Sequence, residues 1–339
     1  DTLLAEIAHH DHIEYRVFNP FKRRSSGFVT RQALNLAEFH RLDHRMHNKA
    51  LVVDNQVAII GGRNLADEYF GLHEEANFRD MEVLVGGPII TTLADSFDDY
   101  WNDPWSFPIE TLAHIDTRRL DARAMMTVTE DTSSLHSERD PPQHLQDWLT
   151  VLATAHSGTP QLLADNPPIA NPALETEAPV QAADALLRVV ENARREIIIV
   201  SAYLIPTPRL ENALAAATDR GVKIRVLTNS IRSNNHLTAH SAYRNHIKAL
   251  MAGGAELHEV RIDAASRDAY MYGDVNNRHL ALHAKLLIVD QDRVFIGSAN
   301  LDPRSLRLNT EMGLLVESEA LNQELRNLIA PDFQRANAW

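Results

Sequence analysis

One eight-residue pattern occurs twice in this chain of 339 residues, and it constrains the fold more than any other feature. Residues 47–54 read HNKALVVD, and residues 283–290 read HAKLLIVD. The offset between positions 47 and 283 also relates three further pairs of residues: Gly61 and Gly297, Gly62 and Ser298, and Asn64 and Asn300. A pattern that keeps one offset in this way indicates a duplicated structural unit. The sequence therefore predicts two homologous lobes.

Each copy predicts the same local structure. A short apolar run follows each His-x-Lys, which is typical of a buried strand, and a polar turn then leads into a second strand. The predicted strands cover 49–54, 57–60 and 81–85 in the first copy, and 285–290, 294–296 and 312–316 in the second. Residues two apart on a strand point to the same face, so the His and the Lys of each motif should enter one cleft.

Alternating helices and strands precede the second motif but not the first. Helices are predicted at 182–195, 210–220 and 240–252, and strands at 196–203 and 222–228. This order predicts a largely parallel sheet with helices on its faces. Only a helix at 2–9 and a strand at 12–18 precede the first motif. The matching segment of roughly 50–60 residues is therefore expected upstream of Asp1, and without it a sheet edge would be unpaired.

The predicted fold class is α/β, with two pseudo-twofold-related lobes that contain mixed, mostly parallel sheets flanked by helices. Residues 1–115 form the N-terminal lobe, which is expected to be truncated at its N-terminus, and residues 181–339 form the C-terminal lobe. Residues 116–180 are polar and rich in proline, which indicates a linker, with one helix predicted at 143–155.

Composition narrows the range of functions. The chain has no cysteine, which excludes thiolate metal sites, catalytic thiols and disulfides. Its formal net charge of −13 disfavours nucleic acid as a partner, because such partners usually require a basic face, although a local basic cleft stays compatible with this charge. The sequence has no run of about 18 apolar residues, so no transmembrane helix is predicted.

The duplicated motif supplies the groups that transfer at a phosphodiester requires. One histidine can attack phosphorus and form a phosphohistidine, while the other protonates the leaving oxygen and then deprotonates the incoming nucleophile. Lysine ammonium groups neutralise the phosphate and asparagine amides donate hydrogen bonds to it, so neither a metal nor another cofactor is expected. These predicted catalytic residues are His47, Lys49, Asn64, His283, Lys285 and Asn300.

Each catalytic histidine also needs a carboxylate that fixes its tautomer. Glu311 leads the third strand of the second copy, 28 residues after His283, and is predicted to serve that histidine. Asp80 holds the matching place in the first copy and is predicted to serve His47, from which it is 33 residues away. The first copy therefore carries five extra residues, which lie within 66–78.

Other polar residues near the motifs allow more than one interpretation. Asp54 and Asp290 end strands at turns, so structural and catalytic roles both stay open. Histidines 40, 44 and 47 have helical spacing that could suggest zinc, but the repeat already uses His47, and Lys49 would repel a cation. A polar helix N-terminus is the alternative to a headgroup contact for His236 and His240. The weaker substrate-binding candidates are Tyr203, His236, His240 and Ser298.

The paired motifs resemble those of the phospholipase D superfamily. The strings after them, GGRN at 61–64 and GSAN at 297–300, belong to the same resemblance. Finer matches are similar to the bacterial cardiolipin synthases of the C type, namely HRMHNK at 44–49, GGRNLADEYF at 61–70, TNSIRSN at 228–234, HSAY at 240–243 and LDPRS at 301–305. The resemblance covers nearly the whole chain apart from the linker.

The resemblance implies a phosphatidyltransferase that makes cardiolipin from phosphatidylglycerol and a phosphatidyl donor, with phosphatidylethanolamine as a candidate donor. It implies His47 as the nucleophile and His283 as the acid and base. It also implies association with the bacterial cell membrane, either peripherally or through a segment upstream of Asp1. Two alternatives stay open: a phospholipase D or nuclease that hydrolyses with the same two histidines, and a non-catalytic membrane scaffold, against which the two intact motifs argue.

Overall fold

The computed structural model describes residues 12–21, 44–112, 141–167, 181–234 and 236–339. The helix predicted at 2–9 lies outside these ranges. The strands are β1 (Arg16–Phe18), β2 (Ala50–Val53), β3 (Val57–Gly61), β4 (Ala76–Arg79), β5 (Glu82–Gly86), β6 (Ser106–Pro108), β7 (Thr159–Ala164), β8 (Glu196–Ser201), β9 (Lys223–Asn229), β10 (Glu256–Val260), β11 (His279–Leu282), β12 (Lys285–Val289), β13 (Arg293–Gly297) and β14 (Met312–Glu317). The α-helices are α1 (Ile89–Trp101), α2 (Ile109–Leu112), α3 (Pro141–Ala153), α4 (Gln181–Glu191), α5 (Pro208–Asp219), α6 (Leu237–Tyr243), α7 (Ile247–Ala252), α8 (Pro303–Arg307) and α9 (Glu319–Ile329).

The C-terminal lobe is built on a seven-stranded sheet with the order β10-β9-β8-β12-β13-β14-β7. The strands β8, β9 and β10 are parallel, and every other neighbouring pair in this sheet is antiparallel. The predicted α/β architecture with mixed sheets is confirmed. The prediction that the sheets are mostly parallel is wrong, because each repeated motif forms a hairpin, and strands joined by a tight turn must run antiparallel.

Helices cover both faces of this sheet. Neighbouring strand residues point to opposite faces. Ile199 therefore packs with Leu186 of α4 on one face, while Ile198 packs with Leu325 of α9 on the other. The single helix predicted at 240–252 is instead two short helices, α6 and α7, and the chain between them carries a histidine that bonds to α5. The sheet is thus the middle layer of a three-layer lobe.

The N-terminal lobe contains a three-stranded antiparallel sheet with the order β2-β3-β5. Ile60 of β3 and Leu93 of α1 are fully buried in one cluster. The turns predicted after both motifs are present, and Asp54, Asn55 and Asp290 adopt φ angles of 51°, 53° and 54° there. Asparagine and aspartate tolerate this left-handed region better than most residues. Among the strands in the described ranges, β2 pairs with β3 alone.

The predicted linker holds a strand that the sequence analysis did not identify. Within 116–180, the described part contains α3, close to the predicted helix, and β7. Strand β7 pairs with β14 from Thr159–Glu317 to Ala164–Met312 and forms one edge of the C-terminal sheet. The interpretation of this whole segment as a linker is therefore wrong for β7. The division of the chain into lobes at 115 and 180 otherwise stays a prediction.

The two lobes share a hydrophobic cluster. Ala58 and Ile60 of the N-terminal sheet pack against Met312 and Leu314 of β14. A short parallel pair, β4 with β11, also joins the lobes. Burying an isoleucine, leucine or methionine side chain stabilises the fold by about 1.5–3 kcal/mol, so this cluster helps to hold the two sheets together. A search of the described ranges finds no helix long and apolar enough to cross a membrane.

Candidate active site

The two motifs meet at the boundary between the lobes, each held by backbone hydrogen bonds to the opposite lobe. The N–H of His47 donates to the carbonyl of Thr310 at 2.9 Å. The N–H of His283 donates to the carbonyl of Arg79 at 2.8 Å, just after the pairing of β11 with β4. Thr310 and Arg79 each lie one residue before a predicted catalytic carboxylate. The repeat therefore arranges its two motifs reciprocally across one interface.

The histidines and their carboxylates are paired across the lobes. His47 Nδ1 lies 2.8 Å from Glu311 Oε2, and His283 Nδ1 lies 2.6 Å from Asp80 Oδ2. The predicted pairing within each lobe is wrong, although all four residues were correctly placed in one site. The physical reason is the backbone pairing, which sets each histidine beside the start of the opposite lobe's third strand.

Both carboxylates are ionised hydrogen-bond acceptors. Burial tends to raise the pKa of Asp80, but the hydrogen bond from His283 and the charge of Lys285 outweigh it and lower that pKa. Burial likewise acts on Glu311, whose pKa is held down chiefly by the hydrogen bond from His47. An ionised carboxylate accepts the proton on Nδ1 of each imidazole. The lone pair of each neutral histidine is then on Nε2, the nitrogen that can attack phosphorus or accept a proton.

The two lysines lie beside the histidines of their own motifs. Lys49 Nζ donates to the carbonyl of His47 at 2.7 Å, and Lys285 Nζ donates to the carbonyl of His283. Lys285 Nζ also lies 3.0 Å from His283 Nδ1. Burial lowers the pKa of each lysine to about 8. The site therefore carries two ammonium groups at neutral pH whose protons are held less tightly than usual.

These pKa values predict an alkaline limit to activity. A lysine is cationic below its pKa, so the charge that neutralises a bound phosphate is present at neutral pH and is lost as the pH rises through about 8. We expect kcat/KM, measured from about pH 6 to about pH 10, to fall with an apparent pKa near that of the free site. Lys49→Arg keeps one of the two charges at high pH, so the alkaline fall should become less steep, while Lys285 still sets a limit near pH 8. A profile that stays flat to the alkaline end would contradict the role of the lysines.

The two asparagines, which the repeat relates, have different surroundings. Asn64 Nδ2 donates to the hydroxyl of Tyr69 at 2.7 Å. Asn300 Oδ1 is buried, and among the described residues it has no hydrogen-bond partner. The unpaired atom is an amide oxygen, which accepts hydrogen bonds, so it can take a hydroxyl or N–H donor of a ligand but not a phosphate oxygen. The contact of the Asn300 amide N–H with the phosphate stays a prediction.

Ser298 supports a carboxylate rather than facing an open pocket. Its hydroxyl donates to Glu311 Oε2 at 2.5 Å and accepts a hydrogen bond from the N–H of Met312 at 3.0 Å. It was predicted as a substrate-binding residue, but its hydroxyl is already used to hold Glu311. Its counterpart Gly62 has no side chain, and a Cβ there would lie 2.8 Å from Lys285 Cδ. Glycine at this position leaves room for the lysine stem.

The aspartates that end the two motifs lie away from the histidines. Asp290 is about 16 Å along β12 from Lys285. Its carboxylate accepts hydrogen bonds from the backbone N–H groups of residues 194, 195 and 196 and pairs with Arg293 at 2.8 Å. Asp54 is exposed at the equivalent turn. The contacts of Asp290 therefore favour the structural alternative for that residue, while the role of Asp54 stays a prediction.

The insert in the first copy makes the site asymmetric. The His283 ring packs edge-on against Tyr69, with centroids 4.9 Å apart, and lies 5.4 Å from the ring of Phe78. The side chain of His283 is only 8% exposed, whereas that of His47 is 27% exposed. Burial, with the nearby charge of Lys285, lowers the pKa of His283 to about 4. Sequence analysis missed both aromatic residues, although the five extra residues within 66–78 were a signal.

A buried ion pair anchors the residue next to Asp80. Arg79 Nη2 lies 2.5 Å from Asp332 Oδ2, and Arg79 Nε donates to the hydroxyl of Tyr270 at 2.9 Å. Both partners of Arg79 belong to the C-terminal lobe, and burial raises the pKa of Asp332 to about 6 against the opposing charge of Arg79. Nothing in the repeat identifies these residues, because Thr310 replaces Arg79 in the second copy.

Asp165, from the predicted linker, holds the backbone of Glu311. Its carboxylate accepts hydrogen bonds from the N–H of Glu311 and the N–H of Ala182, both at 2.9 Å. Burial raises the pKa of Asp165 to about 7. Asp165 directly follows β7. Because the sequence analysis assigned this strand to a linker, it did not identify the contact of Asp165 with Glu311 either. The segment between the lobes thus helps to position Glu311, whose carboxylate is hydrogen-bonded to His47.

The remaining substrate-binding candidates follow two neighbouring strands of the C-terminal sheet, β8 and β9. Tyr203 follows β8, which pairs with the motif strand at Ser201 opposite Lys285, and its ring lies 5.8 Å from that of His236. His240 is buried on α6, and its Nδ1 has no hydrogen-bond partner among the described residues. Their roles in binding substrate stay predictions.

The structure does not bring His44 and His47 together as ligands of a zinc ion. His44 Nδ1 is 2.9 Å from the carbonyl oxygen of Leu308, the His47 imidazole is held by Glu311, and position 40 lies outside the described ranges. In the part of the chain that the structure describes, no group of three or more histidine, cysteine, aspartate or glutamate residues could hold a metal ion.

Comparisons with known proteins identify relatives of this chain. Residues 186–332 match the family model described as "Cardiolipin synthase, PLD-like domain". Cardiolipin synthase C of Escherichia coli (strain K12) is 33% identical over 334 residues, which cover 95% of this chain and 68% of that protein. Cardiolipin synthase A of Pseudomonas putida (strain GB-1) is 31% identical over 300 residues, which cover 87% of this chain and 49% of that protein.

A solved structure supports the fold. The crystal structure of phosphatidylserine synthase from Haemophilus influenzae Rd KW20 aligns with a TM-score of 0.54 and 15% identity, covering 87% of this chain and 63% of that one. At this identity the likeness concerns the fold alone. The chain spans from about half to about two thirds of the length of these relatives.

Proposed function

We propose that this chain, which belongs to the cardiolipin synthase-like phosphatidyltransferases of the phospholipase D superfamily, makes cardiolipin by moving a phosphatidyl group onto phosphatidylglycerol through a phosphohistidine. One observation carries the proposal: two histidines, each hydrogen-bonded through Nδ1 to an ionised carboxylate, lie at one interface together with the buried Lys285 and the partly buried Lys49. This set can perform two successive in-line displacements at phosphorus.

In the first displacement, His47 Nε2 attacks the phosphorus of the donor lipid and the bond to the leaving alcohol breaks. His283 gives the leaving oxygen its proton. Burial favours neutral His283 in the free site, and a bound anionic phosphodiester opposes that effect and favours the protonated form. Lys49, Lys285 and the amide of Asn300 stabilise the charge on the non-bridging oxygens.

In the second displacement, a hydroxyl group of the acceptor attacks the phosphohistidine. Its proton passes to Nε2 of His283, the new phosphorus–oxygen bond forms, and the bond from phosphorus to His47 breaks. Each residue therefore reverses its own task between the steps: His283 changes from acid to base, and His47 from nucleophile to leaving group. The carboxylates of Glu311 and Asp80 keep the two imidazoles in the tautomer that both steps use.

The relatives' names motivate cardiolipin as the proposed product. The resemblance of the motifs motivates phosphatidylglycerol as the proposed acceptor and phosphatidylethanolamine as the candidate donor. The substrates lie in a bilayer, so the protein must work at a membrane surface, and we propose peripheral association at the bacterial cell membrane.

The test is to incubate the purified protein with vesicles of phosphatidylglycerol and phosphatidylethanolamine and to separate the lipid products. We expect cardiolipin to accumulate, and a chelator to leave its rate unchanged, because lysine charge replaces a metal. Phosphatidic acid as the sole product would instead indicate a phospholipase D. Cleavage of DNA without any lipid turnover would refute both lipid functions.

A further inference from the structure

A cleft of about 480 Å³ opens between the lobes beside Asp80. It is the space bounded on one side by the insert of the N-terminal lobe and on the other by a short segment of the C-terminal lobe. We call it the aromatic cleft. It is lined by the aromatic and apolar residues Tyr69, Phe70, Phe78, Ala269, Tyr270, Met271 and Tyr272, together with the charged residues Arg63, Asp80 and Asp268. Aromatic and apolar side chains thus form most of the lining, with three charged groups among them.

The two walls of the aromatic cleft are fixed to each other by backbone contacts. Gly71 adopts a φ of 75°, and its carbonyl accepts a hydrogen bond from the N–H of Tyr272 at 3.0 Å. A Cβ at position 71 would lie 2.7 Å from the carbonyl oxygen of Tyr270, so glycine is required for this close approach. The side chains of Phe70 and Tyr272 stay 43% and 61% exposed. The cleft is therefore a preformed feature with an apolar mouth.

The aromatic cleft adjoins one of the two histidines. Tyr69 and Phe78 pack against the ring of His283, and Asp80, which also lines the cleft, accepts the hydrogen bond from that ring. His47 is held instead by Glu311. The second motif copy lacks the five extra residues that build this wall. The asymmetry of the repeat thus creates a cleft on the His283 side.

The proposed reaction indicates which substrate group approaches phosphorus from the side of His283. In an in-line displacement the attacking and leaving groups lie on opposite sides of phosphorus. If the phosphate is carried on His47, the incoming hydroxyl arrives beside His283, which takes its proton. Apolar and aromatic linings suit the acyl and glycerol parts of a lipid far better than they suit water.

We propose that the aromatic cleft binds the acceptor lipid, with the acyl-glycerol part of phosphatidylglycerol against Phe70 and Tyr272 and its headgroup hydroxyl directed to His283. The proposal rests on the proposed function and deepens it. When the acceptor occupies the cleft, its hydroxyl oxygen bonds to phosphorus, its proton passes to His283 and the bond from phosphorus to His47 breaks. An occupied cleft also excludes water, which would otherwise release phosphatidic acid.

The test is to compare Phe70→Ala and Tyr272→Ala with the unmodified protein, using phosphatidylethanolamine as donor and varying phosphatidylglycerol in mixed micelles. We expect the KM for phosphatidylglycerol to rise roughly tenfold and the ratio of cardiolipin to phosphatidic acid to fall by a similar factor. Phe97→Ala is the matched control, because Phe97 is 53% exposed on α1 and outside the cleft. In this control the KM for phosphatidylglycerol and the ratio of cardiolipin to phosphatidic acid should stay unchanged.

A second measurement separates binding from a change in folding. The preference for long-chain over short-chain phosphatidylglycerol should shrink in both variants, whereas a partly unfolded protein would lose activity on both chain lengths equally. A rise in the KM for the donor instead of the acceptor, or an unchanged product ratio, would overturn the cleft assignment and leave the proposed function standing. If the unmodified protein turns over no lipid, the proposed function falls and the cleft assignment falls with it.

Discussion

Replacing His47 or His283 with alanine is expected to reduce cardiolipin formation by at least about 10³-fold, the largest effect that any single substitution in this chain should produce. Without His47 no phosphohistidine forms, and without His283 neither the leaving oxygen nor the incoming hydroxyl exchanges its proton. The double variant should be little worse than either single variant, since the two residues act as one unit. The measurement is cardiolipin formation in the vesicle assay, with thermal unfolding to verify the fold.

A matched control is present in the same lobe. His258 Nε2 lies 2.8 Å from Glu256 Oε1 on β10, so it is also a histidine paired with a carboxylate, but it lies outside the repeat. His258→Ala should keep cardiolipin formation within a few-fold of the unmodified rate. Retained activity in His47→Ala or His283→Ala would refute the shared site with two histidines.

Asp80→Asn and Glu311→Gln should each slow turnover by roughly 10²–10⁴-fold, and each should disturb the histidine of the opposite lobe. An amide in place of the carboxylate no longer provides an ionised acceptor for Nδ1–H, so the imidazole loses its preferred tautomer. Imidazole nitrogen NMR can detect this change. We expect Asp80→Asn to alter the signals of His283, and Glu311→Gln to alter those of His47, with the signals assigned from the alanine variants.

The reverse result, in which Asp80→Asn alters His47 and leaves His283 as it was, would contradict the crossed pairing and restore the pairing within each lobe. Asp54→Asn is the control, because Asp54 ends the same motif but is exposed at a turn. Its turnover and the histidine signals should match those of the unmodified protein.

The local structure and the membership of the site could be predicted from sequence because both depend on short spacings. A run of apolar residues between His-x-Lys and a polar turn predicts a hairpin wherever it occurs, and both hairpins are present at β2–β3 and β12–β13. The constant offset also brought His47, His283, Asp80 and Glu311 into one predicted site, and the hydrogen bonds join these four residues as two pairs.

The partners within the site could not be predicted, because they depend on which sheet edge each motif faces. Spacing along the chain relates Asp80 to His47, whereas backbone pairing between the lobes places it beside His283. Strand β7 was missed because its pairing partner β14 lies about 150 residues further along the chain. The burial of His283 depends on Tyr69 and Phe78, which have no aromatic counterparts in the other copy; Asn309 stands in the place of Phe78.

The hydrogen bonds from His47 to Glu311 and from His283 to Asp80 determine when the active site can form during synthesis of the chain. His47 is synthesised before Glu311, whose carboxylate orients it, and before His283. A nascent chain that has folded its first lobe therefore holds an unoriented imidazole and cannot carry a stable phosphoryl group in a competent geometry. The ribosome must add nearly the whole C-terminal lobe before either half-site works. A translation product that ends before residue 311 is thus expected to show no phosphatidyl transfer.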